Sequence, residues 1–101
     1  MSDIRELDVP DDALEDNSAH EVLRVWTGKT EYVCISGKLY GSPATWGHLL
    51  CQIARHVARA YSLNEISSED DAAFWIREQF NASWDEPDET TGELVDDTKN
   101  P

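Results

Sequence analysis

The sequence predicts an α+β fold: a β-hairpin followed by two amphipathic helices, with flexible acidic arms at both ends. Three observations predict it. Residues 21–36 are rich in Val, Ile, Trp, Tyr and Thr around Gly28-Lys29. Residues 43–62 carry apolar side chains at helical spacing. The charge is segregated: residues 1–21 hold eight acids against Arg5, residues 85–101 hold seven against Lys99, and the segment between them is balanced. The domain scheme is therefore an acidic arm over 1–18, a compact α+β unit over 19–84 and a disordered acidic tail over 85–101.

In the first arm Ile4, Leu7 and Val9 alternate weakly. Pro10-Asp11-Asp12-Ala13-Leu14 suits one helical turn, with proline at the start and acids at the positive end of the dipole. Asn17-Ser18 breaks that turn.

In the hairpin, Gly28-Lys29 as a two-residue loop, with positive φ at Gly28, places Trp26 opposite Glu31 and Val25 opposite Tyr32. One face then carries Leu23, Val25, Tyr32 and Cys34. The other carries Val22, Trp26, Val33 and Ile35, which form the candidate interaction face. Both faces are largely apolar, so each needs cover. Two strands also leave two open edges. This favours a homodimer through the β-hairpin. The competing solution is internal cover by the second helix or the Leu7–Leu14 segment.

Ser42-Pro43 starts the first long helix, serine as cap and proline at the first helical position. Trp46, Leu49, Leu50, Ile53, Val57, Ala60 and Tyr61 form its apolar stripe, which is expected to pack on the hairpin. The opposite side carries His48, Gln52, Arg55 and Arg59, a concentrated positive surface in a chain of net charge −13. It is a candidate anion or ligand face. The second helix starts at Ser68, with Asp71 three residues on in a capping-box-like arrangement, and ends near Asn81–Ser83. Ala72, Ala73, Ile76 and Phe80 line one side and Trp75 flanks them. The tail beyond has Leu94 and Val95 as its sizeable apolar residues, too few to offset the entropy of ordering.

No reaction is written in these residues. Gly28-Lys29-Thr30 imitates the end of a phosphate-binding loop, but the glycine-rich run before it and the helix after it are missing. His48, Cys51 and His56 share one helix without completing a metal-ligand set, and no metal or other cofactor is expected. The acidic balance argues against nucleic-acid binding and against docking on an anionic membrane. Cys34 and Cys51, with no secretory signal ahead of them, suit a cytoplasmic protein. The expectation is a non-enzymatic protein-interaction module with an unknown protein partner; the alternative is a small-molecule or anion-binding protein using the His48/Arg55/Arg59 face.

The block Glu21-Val22-Leu23-Arg24-Val25-Trp26, the stretch Trp46-Gly47-His48-Leu49-Leu50 running into Ile53-Ala54-Arg55-His56-Val57-Ala58-Arg59-Ala60-Tyr61, and the segment from Ile76 to Trp84 resemble a family of small uncharacterised bacterial proteins, mainly alphaproteobacterial, known as a domain of unknown function. The resemblance spans roughly residues 7–86. It implies a bacterial cytoplasmic origin and a single small domain, and carries over no catalytic or binding residues.

Overall fold

The computed structural model describes residues 5–86 and 92–96. Its element order is α1 (Asp11–Glu15), β1 (Leu23–Thr27), β2 (Glu31–Ile35), α2 (Pro43–Leu63), α3 (Glu69–Asp85) and β3 (Glu93–Asp96). The α+β class is as the sequence predicts. Both helix starts are as well: Ser42 Oγ accepts from the Ala44 N–H at 3.2 Å, with Pro43 following it, and Ser68 Oγ accepts from the Asp71 N–H at 3.1 Å. Each hydroxyl satisfies an amide left over in a first helical turn.

The hairpin register differs by one residue from the predicted one. Val25 lies opposite Val33 and Trp26 opposite Tyr32. Three residues, Gly28, Lys29 and Thr30, stand outside the ladder, and the Gly28 N–H donates to the Thr30 carbonyl at 3.0 Å. Gly28 does not take positive φ. A one-residue slip exchanges the faces of one strand relative to the other. Leu23, Val25, Val33 and Ile35 therefore share one side, while Arg24, Trp26, Tyr32 and Cys34 share the other. The set Val22, Trp26, Val33 and Ile35 is thus not one face. Trp26 points away from Val33 and Ile35, and Val22 precedes β1, its carbonyl accepting from the Ser36 N–H.

A second difference lies in the acidic tail. Where composition predicts disorder, Glu93–Asp96 forms β3, parallel to β2, and gives the order β1-β2-β3. Leu94 pairs with Val33 and Val95 with Cys34, so the two apolar residues of the tail lie on a ready-made edge. Gly92 makes the entry possible. Its φ is +82°, and a Cβ there would stand 2.5 Å from the Glu31 carbonyl oxygen. Residues 87–91 and 97–101 of the predicted disordered tail lie outside the described residues.

α2 and α3 form a helical hairpin closed by a Schellman motif. The Ile66 N–H reaches the Tyr61 carbonyl and the Glu65 N–H the Ser62 carbonyl, both at 3.0 Å, with Glu65 in the left-handed region at φ 57°. The hairpin and the sheet pack within themselves far more than against each other. Among the described residues the only buried side chains are Ala58 of α2 and Ala72 of α3, both close to the connecting loop. The stripe predicted to bury α2 on the hairpin is only half-covered. Leu50 and Val57 remain exposed, and Trp46 meets Tyr40 of the β2–α2 connection edge-on, ring centroids 5.5 Å apart.

Candidate interaction surface

α3 has apolar residues on every side. At 100° per residue, Ala72, Ile76, Gln79 and Ser83 fall on one strip, Trp75 and Phe80 on its two flanks, and Phe74 on the far side. The strip continues from Ala72 away from the loop but is not covered along its length by α2. It lines an open groove of about 680 Å³ with Tyr61 and Ile66 at its loop end. Trp75 is 67% exposed, Phe80 53%, Ile66 68% and Trp84 75%. Phe74 stands edge-on to Trp75, centroids 5.1 Å apart, and Phe80 stacks on Trp84 at 5.8 Å. Helices apolar all round normally lie inside a protein.

The groove is uncharged. Its polar pair is satisfied internally, Gln79 Nε2 donating to Ser83 Oγ at 2.9 Å. Glu78 and Asp85 fall on the opposite side of α3, Asp71 lies beside Trp75, and Glu69 of the first turn falls on the groove side.

His48, Gln52, Arg55 and Arg59 lie together along the exposed side of α2, as their spacing predicts. Among the described residues no carboxylate pairs with Arg55 or Arg59. Cys34 and Cys51 are free thiols on different elements, and no group of three His, Cys, Asp or Glu side chains among the described residues is arranged to hold a metal.

The first arm runs beside β1 and encloses with it a cleft of about 550 Å³. Arg24 closes it, bonded to Glu6 and to Glu21 and lying 5.8 Å from the Trp26 ring centroid. Both carboxylates hold the Arg24 guanidinium above its ordinary pKa, the Glu21 hydrogen bond contributing most. Leu7 and Leu14 of this arm nevertheless remain exposed, so the arm does not supply the internal cover that the sequence allowed.

Residues 6–88 match DUF5076, a domain of unknown function. The chain belongs to this family. A solved structure described as a "putative pyruvate dehydrogenase" from the photosynthetic bacterium Rhodopseudomonas palustrus CGA009 is similar to this DUF5076 chain, with 33% identity and a TM-score of 0.72. The similarity covers 92% of this chain and 97% of that one. No curated protein matches.

The α3 surface is the part of this DUF5076 member that sequence reasoning missed: the spacing 72/73/76/80 marks an apolar side of the helix without saying whether anything covers it. The signal was present in the neighbours. Phe74, Trp75 and Ile76 are consecutive, so their side chains spread over 200° and one packing partner cannot cover all three.

Proposed function

We propose that this protein is a non-enzymatic protein-interaction module of the bacterial cytoplasm. One observation carries the reading: Phe74, Trp75, Phe80 and Trp84 are each more than half exposed on a single helix. Contiguous apolar surface of this kind marks protein contact sites on soluble chains, and aromatic side chains dominate the energetics of such sites. Charged residues are absent from the groove and abundant elsewhere, the distribution expected of an interface core and its surroundings. The acidic balance disfavours nucleic acid and anionic membrane as the occupant. Among the described residues no helix is long and apolar enough to cross a membrane. The dehydrogenase description of the similar structure adds no residue role to this chain.

The test is a photo-reactive side chain placed at position 74 or 84 in the native cell. A covalent adduct to protein is the expected result. Reaction with solvent alone at both positions would overturn the reading.

The unpaired Arg55/Arg59 stripe supports a second reading, a binding face for a small anion. In that case phosphate or a dicarboxylate raises the melting temperature, and Arg55→Ala with Arg59→Ala abolishes the rise.

A further inference from the structure

We infer that the outer edge of β2, with a notch at Gly37, is a docking site for an extended segment of another protein in which an apolar residue is followed two positions on by aspartate. The chain's own β3 is the resident self-ligand of this site, and a partner pairs by displacing it. The site lies on the sheet and is independent of the α3 surface.

The resident strand shows what the edge accepts. β1 takes one side of β2 and β3 pairs with the other in parallel, which leaves the β1 edge for any pairing of two hairpins. A segment added to a sheet edge is held through its main chain, and its alternate side chains supply selectivity. In this register Leu94 and Asp96 stand on the side of Val33 and Ile35, Leu94 opposite Val33. Asp96 reaches past the end of β2 to Gly37. A Cβ on Gly37 would stand 2.6 Å from Asp96 Oδ1 and 2.7 Å from Oδ2. Gly37 does not take positive φ, so its missing side chain serves the close approach of that carboxylate and not a left-handed turn.

Charge placement suits an acidic segment in spite of the net −13. Lys29 precedes β2 and Lys38 follows it, while Glu93 and Asp96 bound β3, and parallel pairing sets like ends side by side. Glu31, the acid of β2, is engaged with β1, its carboxylate accepting from Thr27 Oγ1 at 3.4 Å.

The resident strand is built to be displaced. β3 has four residues, of which Glu93, Leu94 and Val95 are exposed, Leu94 by 61% and Val95 by 47%. Little apolar surface returns to water when it leaves. It also lies beyond residues 6–88, the part of the chain that matches the DUF5076 domain. Seven residues, 86–92, join it to α3. A short tether supplies an effective concentration on the order of millimolar, so the tail fills the edge without binding tightly. A partner segment with the same contacts and further ones on either side outcompetes it.

The experiment titrates a capped peptide, Gly92-Glu93-Leu94-Val95-Asp96, into the isotope-labelled full chain and follows the amide resonances. In Gly92→Ala the resident strand is released, and the peptide, which keeps its glycine, should bind saturably and shift the amides of Tyr32 to Ile35. Wild type should bind it severalfold more weakly, because its own tail competes. Adding Gly37→Ala to the opened chain, or Asp96→Leu to the peptide, should weaken binding by about fivefold or more, the loss of one anchoring contact. A Gly92→Ala chain whose Leu94 and Val95 amides stay protected is opened by Val95→Pro instead, since proline cannot donate to the ladder. No saturable binding to the opened chain at millimolar peptide overturns the docking site. Equal binding to wild type and opened chain overturns the self-ligand, and binding indifferent to Gly37→Ala overturns the notch. Sedimentation equilibrium of wild type should give 11.4 kDa. Twice that mass, falling to the single-chain value in Gly92→Ala, would assign the edge to the tail of a second copy and overturn the self-ligand. Adducts from positions 74 and 84 test the interaction module separately.

Discussion

Glu6 and Arg24 are ion-paired at 2.5 Å across eighteen residues of sequence, which ties the first acidic arm to β1. Arg24 also pairs with the neighbouring carboxylate of Glu21, its Nε donating at 2.8 Å, so one planar guanidinium serves both. Arg24→Leu should release the arm, with faster hydrogen exchange at residues 6–9 and little change in α2 or α3. Arg24→Lys should release it partly, because an ammonium lacks the fork. Raising the salt concentration should mimic the substitution, since both carboxylates are more than half exposed and therefore screened. Unchanged exchange at residues 6–9 in Arg24→Leu would refute the tie.

Glu65 occupies the left-handed position of the Schellman motif between α2 and α3, at φ 57°. A non-glycine residue there costs about 1–2 kcal/mol, and glycine loses roughly 0.5–1 kcal/mol in extra unfolded-state freedom. Glu65→Gly should therefore stabilise the chain by about 0.5–1 kcal/mol, read as a higher denaturant midpoint at unchanged slope. A lower midpoint would contradict the motif.

Gly92 should be irreplaceable for β3. Gly92→Ala combines positive φ with a Cβ 2.5 Å from the Glu31 oxygen. The expected result is loss of amide protection at Leu94 and Val95, with β1 and β2 still paired. Protection retained in the alanine variant would show that the chain enters β3 by another path.

Ala58 sits 1% exposed in α2. Ala58→Leu should cost about 1–3 kcal/mol by overpacking, measured by chemical denaturation. Ala44→Leu, at an exposed position of the same helix, should stay within about 0.5 kcal/mol.

Asp16 carries the pH-sensitive turn. Ser18 Oγ and the Ser18 N–H both donate to Asp16 Oδ1, at 2.6 and 2.9 Å, and hold its carboxyl below the usual range, the hydroxyl contributing most. A lowered carboxyl favours the folded turn above its unfolded pKa, and the advantage is lost as pH falls through the lowered value. NMR titration should find Asp16 protonating below the ordinary aspartate value. Ser18→Ala should move it up toward that value, and an unmoved titration would remove the hydroxyl from the account.

The helices and the β1–β2 hairpin were legible from local chemistry. Ser42-Pro43 and Ser68 set the helix starts because a capping hydroxyl acts within three residues of its amide. The basic side of α2 followed from spacing alone, since helical periodicity fixes which residues share a side.

Tertiary structure decided everything that depended on a distant partner. Leu94 and Val95 form a strand only because β2 offers an edge and Gly92 lets the chain reach it. The hairpin register turned on whether Thr30 joins the ladder, a choice of one residue that reverses which side chains share a face. Helical periodicity in 72–80 correctly marked an apolar surface, but the same pattern describes a core and an interface. Only the packing of α2 near Ala58 and Ala72, which leaves the rest of the α3 strip open, separates the two. Local interactions choose the helices and the β1–β2 hairpin; the third strand, and which apolar faces remain uncovered, depend on how those elements meet.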